Sequence, residues 1–215
     1  MSLREPQLIK AIFFDYDGVL TTDATGSIST CRYISEQTGI RLPDVVAAFR
    51  VHNRDLTIGR RSHADVWPAI CAALGREIPM DLLVDAFDST PTNVEMNALA
   101  RQLKKSHLVG IITDNKRDRI ERLRATQRLD QIFQPIVVSA DVGCTKEDEH
   151  IFHIALARAD VDATESIFID NSRTNLVAAA SVGMHTIFFD DAANDVQALR
   201  RCLGERYGVV VRAYA

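Results

Sequence analysis

Two carboxylates that follow one apolar segment are the residues of this sequence whose types and spacing could do chemistry. Asp15 and Asp17 come directly after the segment from Ile9 to Phe14, whose Ile and Phe content is typical of a strand buried on both faces of a parallel sheet. Side chains two positions apart in an extended chain point the same way, beyond the edge where such sheets bind ligands. Two acids there repel each other unless a cation is bound. The pair therefore predicts a cation site, with a turn completed by Gly18 as the alternative.

Polar and charged residues also lie near the ends of three later predicted strands. The Thr113 hydroxyl could donate to a phosphoryl oxygen or, alternatively, cap the next helix. Lys146 opens a predicted helix, where the helix dipole disfavours a cation. A nearby carboxylate and phosphate would explain this lysine, and a solvated surface position is the alternative. Asp170 and Asn171 close the last of these strands, so the four strand ends predict one site at one edge of the sheet.

These strand ends resemble, in the same order, the four signature motifs of the haloacid dehalogenase-like hydrolases, most of which are magnesium-dependent phosphatases. The matching segments are Asp15-Tyr16-Asp17-Gly18-Val19-Leu20, Thr113-Asp114-Asn115, the stretch 139–148 that contains Lys146, and Asp170-Asn171 with the helix that follows. Three positions depart from the family pattern, since Asp114 replaces the usual Asn, Glu147 the usual Pro and Asn171 the second of two acids. The resemblance covers the chain from about residue 9 to residue 189.

The resemblance implies an aspartyl-phosphate mechanism that needs no organic cofactor. Asp15 would attack phosphorus, and Asp17 would protonate the leaving group and then activate water. Mg²⁺ would be held by the Asp15 carboxylate, the Asp17 backbone carbonyl and a side chain of the Asp170–Asn171 pair. The phosphoryl oxygens would be bound by side chains or backbone groups of Asp17, Gly18, Thr113, Asp114 and Lys146.

The chain between the first two motifs predicts an inserted helical cap, because residues 21–91 contain no alternating apolar run. Amphipathic segments predict helices near 27–37, 43–55, 62–74 and 79–88, and Pro68 should kink or split the third. Arg60 and Arg61 lie in a predicted cap loop, where they are either substrate contacts or solvent-exposed side chains. The connections at 21–27 and 89–92 are rich in small and polar residues and Pro, so they are expected to act as hinges of a lid.

From residue 92 onward, helices alternate with short apolar strands, as a doubly wound parallel sheet requires. Strands are predicted near 108–113, 135–139, 166–170 and 185–189, with an edge strand over 207–214. Helices are predicted near 93–105, 117–126, 147–159, 175–182 and 192–203. The prediction is therefore an α/β fold, in which residues 1–20 and 92–215 form a Rossmann-like core and residues 21–91 form an all-helical cap.

The composition is that of a globular protein and bears on partners and location. The 215 residues are 47% hydrophobic and 25% charged, with a net charge of -4, so no basic stripe predicts nucleic-acid binding and no apolar run predicts a membrane span. The four cysteines are scattered without metal-binding spacing. Without an apolar leader segment, we expect a cytoplasmic protein. The expected partner is a small phosphorylated metabolite, and the oligomeric state is left open.

Two features separate the chain from relatives with other chemistry. Two-haloacid dehalogenases lack the second acid of the first motif, so Asp17 favours phosphorus chemistry. Phosphonatases need a cap lysine, and no lysine lies between Lys10 and Lys104. A phosphomutase is an open alternative, because it differs only in whether the cap excludes water. A non-catalytic binding protein, with its metal site weakened at Asn171, is the other.

Overall fold

A computed structural model describes residues 8–210, in which five parallel strands form one sheet. The strands are Ala11–Phe14 (β1), Leu108–Thr113 (β2), Ile136–Val138 (β3), Ser166–Asp170 (β4) and His185–Phe188 (β5). Their order across the sheet is β3-β2-β1-β4-β5. β1 is central, and its last residue, Phe14, lies beside Ile111 of β2 and Ile169 of β4. The carboxyl ends of these three strands therefore meet at one edge of the sheet.

The helices of the described residues fall into two groups along the chain. Between β1 and β2 lie Gly26–Thr38 (α1), Leu42–Arg50 (α2), Asn53–Thr57 (α3), His63–Ala73 (α4), Met80–Asp88 (α5) and Val94–Leu103 (α6). After β2 come Arg117–Gln127 (α7), Ser139–Val142 (α8), Glu149–Ala159 (α9), Arg173–Ser181 (α10) and Val196–Tyr207 (α11). None of these helices is long and apolar enough to cross a membrane.

The sheet is covered on both faces, which explains why its strands are apolar throughout. On one face Ile12 and Phe14 pack in a cluster with α6, α7 and α11. On the other face Ala11 and Phe13 pack with α9 and α10. This is the doubly wound α/β arrangement predicted from the sequence.

Helices α1 to α5 form a separate hydrophobic cluster over the carboxyl edge of the sheet. Phe49 and Trp67 pack edge to face in it at 6.1 Å, and the Trp67 indole donates to the Ile78 carbonyl at 2.8 Å. Two connections link this helical segment to the core, and an antiparallel bridge between Thr21 and Thr92 pairs them with each other. We call residues 21–91 the cap, and the boundaries of the two domains stay a prediction.

The predicted split at Pro68 is wrong, because α4 runs as one helix from His63 to Ala73, and a kink there stays a prediction. Proline removes a single backbone donor here, while Trp67 and Ile70 on the same helix are buried in the cap cluster. Ser62 caps the start of this helix, since its side chain accepts from the Asp65 amide. Packing and capping together outweigh the loss of one hydrogen bond.

Other predicted boundaries also move. The helix predicted over 43–55 is two helices, α2 and α3, and the helix predicted over 147–159 begins only at Glu149. The last helix extends through Tyr207 and ends at Gly208 with φ 67°, so a strand does not begin at residue 207. The rest of that predicted edge strand, from residue 211 on, lies outside the described residues.

Candidate active site

A cleft of about 960 Å³ lies between the carboxyl edge of the sheet and the cap. Its core wall includes Asp15, Asp17, Asp114, Lys146 and Asn171. These residues follow β1, β2, β3 and β4 in the chain, so the sheet order brings distant segments together. The structure thus assembles most of the predicted site residues around one opening.

Lys146 joins two carboxylates that come from different strands. Its ammonium nitrogen lies 2.6 Å from Asp15 Oδ1 and 2.8 Å from Asp170 Oδ2, and all three side chains are buried. Burial disfavours charge on Lys146, but Asp15 and Asp170 outweigh it and hold the pKa of the ammonium above its ordinary value. A carboxylate and a phosphate close to Lys146 were expected to explain its position, and the structure confirms the carboxylate.

Asp15 is held through one of its two oxygens. Oδ1 accepts from the Tyr16 amide at 2.7 Å and contacts Lys146, whereas Oδ2 accepts no hydrogen bond from the described residues. Burial raises the pKa of Asp15 to about 8, against the opposing effect of Lys146, and Asp170 adds to the rise. A cation at the cleft would favour the ionised form, which is the form a nucleophile requires.

Asp17 is paired with two residues that the sequence reasoning missed. The Arg119 guanidinium donates to Oδ2 and Oδ1 at 2.9 Å each, and Asn115 Nδ2 donates to Oδ2 at 3.1 Å. The available signal was position, because both residues follow Thr113 closely, with Asn115 two residues before α7 and Arg119 in its first turn. Charged residues on helices are usually solvated, so this position alone did not indicate that Arg119 is buried.

The second motif contributes a buried hydroxyl and a half-buried carboxylate. Thr113 Oγ1 is buried without a hydrogen-bond partner among the described residues, and such an orphaned group is a good candidate to bind a ligand oxygen. Asp114 lines the cleft and accepts from the Lys146 amide at 2.9 Å. Burial raises its pKa, although Lys146 opposes the rise. Asp114 therefore also fixes the loop that carries Lys146.

Gly18 and Asn171 pack directly against each other at the base of the cleft. Gly18 has φ 81°, and a Cβ there would lie 2.2 Å from Asn171 Nδ2, so only glycine fits. The Gly18 amide donates to Thr21 Oγ1 at 3.0 Å. That amide is therefore engaged within the loop and is not free for a phosphoryl oxygen in this conformation.

The two side chains of the fourth motif, Asp170 and Asn171, have different surroundings. Asp170 is fully buried, and it accepts from Lys146, from the Ser172 amide at 2.6 Å and from Asn175 at 3.0 Å. Asn171, by contrast, lines the cleft. Asp170 therefore holds Lys146 in place, and Asn171 is the residue of the pair that faces the cleft.

The oxygens at the base of the cleft suit magnesium. The described residues contain no cluster of three His, Cys, Asp or Glu side chains for a metal. Asp15, Asp17 and Asn171 nevertheless all line the cleft and offer carboxylate, carbonyl and amide oxygens, and Mg²⁺ is commonly held by one or two carboxylates with water and substrate oxygens. The residues present fit the predicted metal, with one formal charge fewer than a second acid would supply.

A family profile decides the assignment that the motifs suggested. The profile of haloacid dehalogenase-like hydrolases matches residues 9–183. The chain belongs to this family. It is therefore a hydrolase, and one in which Asp114, Glu147 and Asn171 replace the residues usual in the family motifs.

Relatives match this hydrolase over parts of its length. The sesquiterpene phosphatase astK of Aspergillus oryzae is 29% identical over 113 residues, 52% of this chain and 58% of that protein. Acyl-CoA dehydrogenase family member 10 of Mus musculus is 39% identical over 72 residues, 34% of this chain and 7% of that protein. The chain thus spans little more than half of one curated relative and a small part of the other.

A solved structure matches the hydrolase over nearly its full length. It is a HAD family enzyme of Bacteroides thetaiotaomicron in complex with magnesium and inorganic phosphate. The TM-score is 0.69 at 18% identity, and the match covers 89% of this chain and 100% of that one. At this identity the likeness shows the shared fold.

The cap wall of the hydrolase's cleft carries arginines. Arg50, Arg54 and Arg60 line it, and all three are exposed. The sequence left substrate contact and solvent exposure open for Arg60, and the structure places it on the cleft lining with an exposed side chain. Arg61 does not line the cleft, and instead donates to the Asp65 carbonyl at 2.8 Å. Arg50 and Arg54 were missed, because which side of α2 and α3 faces the core depends on how the cap docks.

Proposed function

We propose that this hydrolase is a magnesium-dependent phosphatase that removes the phosphoryl group from a small metabolite through an aspartyl phosphate on Asp15. The observation that carries the proposal is the state of Asp15, whose Oδ2 is unengaged at the cleft while Lys146 holds Oδ1 at 2.6 Å. The name of the astK relative and the magnesium and phosphate in the Bacteroides structure support the same chemistry.

The first step transfers the phosphoryl group to Asp15. Asp15 Oδ2 attacks phosphorus as the bond between phosphorus and the ester oxygen breaks. Asp17 gives its proton to the departing oxygen, so the product leaves as an alcohol. The Thr113 hydroxyl and the Lys146 ammonium stabilise the negative charge on the phosphoryl oxygens.

The second step returns Asp15 to its starting form. Asp17, now a carboxylate, takes a proton from water while the water oxygen attacks phosphorus. The bond between phosphorus and Asp15 Oδ2 breaks, which releases inorganic phosphate. Magnesium held by Asp15, the Asp17 carbonyl and Asn171 would offset phosphoryl charge and make phosphorus more electrophilic.

The substrate class follows from the two walls of the cleft. Its volume of about 960 Å³ lies within the range of small-molecule sites. Within residues 8–210, the one ion pair that Arg50, Arg54 and Arg60 form is that of Arg60 with Asp55 at 3.9 Å. Because these arginines line the cleft, the cap suits a second anionic group. The preferred substrate is therefore a phosphomonoester that also carries a carboxylate or another phosphate.

The experiment is a phosphate-release assay with and without Mg²⁺ on sugar phosphates, nucleotides and phosphorylated organic acids. The proposal expects magnesium-dependent release that is abolished in Asp15→Asn. It also expects phosphorylated acids or bisphosphates to have the highest kcat/KM. Full activity in Asp15→Asn would refute the assigned nucleophile.

Product analysis in the same assay addresses the two alternatives. A phosphomutase would return an isomeric sugar phosphate and little inorganic phosphate. A non-catalytic binding protein would bind members of the panel without turning any of them over. Either result would contradict the proposed phosphatase.

A further inference from the structure

Arg119 forms an ion pair with Asp17, whose carboxylate the proposed reaction needs for proton transfer. Its two terminal nitrogens reach both oxygens of Asp17, and Asn115 adds a further donor to Oδ2. Arg119 is 2% exposed, so this ion pair is shielded from solvent and is costly to break. In this conformation Asp17 has both oxygens directed to donors, although the leaving group and the water each require one of them.

The same guanidinium contacts both ends of the cap. Arg119 Nη2 donates to Thr90 Oγ1 at 3.1 Å, and Thr90 lies in the second connection, two residues before the bridge to Thr21. Gly26, the first residue of α1, lies so close that a Cβ would be 2.2 Å from the guanidinium carbon. Movement of either connection would therefore displace Arg119.

The packing around Arg119 is incomplete. A second cavity of about 20 Å³ lies beside the residue and is also lined by Phe49 and Phe87 of the cap, enough for one water molecule. Arg119 Nε is buried and has no acceptor among the described residues. The guanidinium therefore has an unused donor and adjacent room.

We propose that Arg119 is a positioning residue that keeps both oxygens of Asp17 engaged, and so unavailable to the leaving group, while the cap stands as described, and releases them when the cap connections move. This inference rests on the proposed function, because it assigns proton transfer to Asp17. It links occupation of the cap to the chemistry: a substrate that engages the cap arginines moves the connections, and Asp17 becomes available only then.

The probe is p-nitrophenyl phosphate with saturating Mg²⁺, because it has no second anionic group for the cap. Its leaving group departs with little proton donation, whereas hydrolysis of the aspartyl phosphate needs Asp17 as base. The native protein should therefore show a burst of p-nitrophenol followed by slow turnover. The measured quantities are the burst amplitude and the steady-state kcat.

Two variants weaken the contacts of Arg119 by different routes. Arg119→Lys keeps the charge but cannot bridge both oxygens, and Thr90→Val removes only the contact with the connection. We expect Arg119→Lys to raise kcat on this probe about tenfold and Thr90→Val about threefold, each with a smaller burst. The controls are Arg124→Lys, at a residue of the same helix that pairs with Asp130, and Thr186→Val on the edge strand β5. Neither position takes part in a described hydrogen bond to Asp17, Arg119 or the cap connections, so both quantities should stay unchanged.

A double-mutant cycle with Asp17→Asn separates positioning from structural support. The proposal expects Arg119→Lys to change kcat less than about twofold in that background. It is overturned if Arg119→Lys or Thr90→Val lowers kcat equally in both backgrounds, or if both behave like the controls. Turnover retained in Asp15→Asn would instead refute the proposed function, so the two failures are distinguishable.

Discussion

The core wall and the cap wall of the cleft hold their charges in opposite ways. On the core wall, Lys146 lies 2.6 Å from Asp15 and 2.8 Å from Asp170, which is buried behind the wall. Asp15, Lys146 and Asp170 are exposed by only 6%, 2% and 0%. On the cap wall, the Arg60 side chain is 69% exposed, and its nearest carboxylate is 3.9 Å away.

The difference separates chemistry from recognition. Buried charges fix each other and lose their compensation when one is removed, so the core wall should behave as a unit. Hydrated charges act nearly independently and contribute little to stability, so the cap wall should tolerate change one residue at a time. The following predictions test this contrast between the two walls.

The largest effect is expected from Lys146→Met. This change leaves Asp15 and Asp170 buried without a cation, so we expect a loss of about 3–5 kcal/mol in the free energy of unfolding and a roughly 10³-fold lower kcat. Chemical denaturation and steady-state kinetics measure the two losses. Lys10→Met, which removes an exposed pair with Glu165, should change the free energy of unfolding far less, because water and salt screen exposed pairs. Equal costs for the two variants would contradict the contrast.

Asn171→Asp should strengthen magnesium binding at the core wall. The change adds a carboxylate to an oxygen set that we assign to magnesium, so we expect the Mg²⁺ dissociation constant to fall about tenfold in a calorimetric titration. Asp170→Asn should mainly lower stability, because Asp170 supports Lys146. If only Asp170→Asn weakened magnesium binding, the metal ligand would be Asp170 and the assignment of Asn171 would be wrong.

A smaller effect is expected on the cap wall from Arg60→Ala. We expect KM for a phosphorylated acid to rise about fivefold with little change in kcat, because the lost contact is made equally before and during reaction. KM for p-nitrophenyl phosphate should not change. Arg61→Ala is the matched control, since Arg61 does not line the cleft. A loss of kcat in Arg60→Ala would contradict this, because it would show that Arg60 acts in the reaction step and not only in substrate binding.

The smallest effect is a pH dependence where the cap docks on α7. Burial opposes ionisation of Asp118, but hydrogen bonds from His63 of the cap outweigh it and hold the pKa of this carboxyl below its ordinary value. Its stabilising contribution is present above the ordinary Asp pKa and is lost as pH falls through the lowered value. Asp118→Asn should therefore reduce Tm at pH 7 and make no difference at strongly acidic pH. A Tm difference that grows on acidification would contradict this sign.

The core could be predicted from the sequence because its signals are local. Asp15, Thr113, Lys146 and Asp170 each lie near the end of an apolar strand, and parallel strands bring such ends together. Arg119 could not be predicted, since its contact with Asp17 spans 102 residues and depends on how α7 meets the cap. The same holds for Arg50 and Arg54.

The local rule at Pro68 failed for a related reason. A proline inside a helix predicts a break only when nothing else holds the helix. In α4 the buried neighbours of Pro68 supply that support, and their packing partners lie on other cap helices that the local pattern does not reveal.

The most direct measurement of the central claim is mass spectrometry of the acid-quenched enzyme after reaction with a phosphate ester and Mg²⁺. Asp17→Asn should be used, because slow hydrolysis lets the intermediate accumulate. We predict one added phosphoryl group on the peptide that contains Asp15, and none in the Asp15→Asn, Asp17→Asn double variant. A phosphoryl group on another residue, or turnover in Asp17→Asn with no phosphorylated peptide at any quench time, would contradict the account.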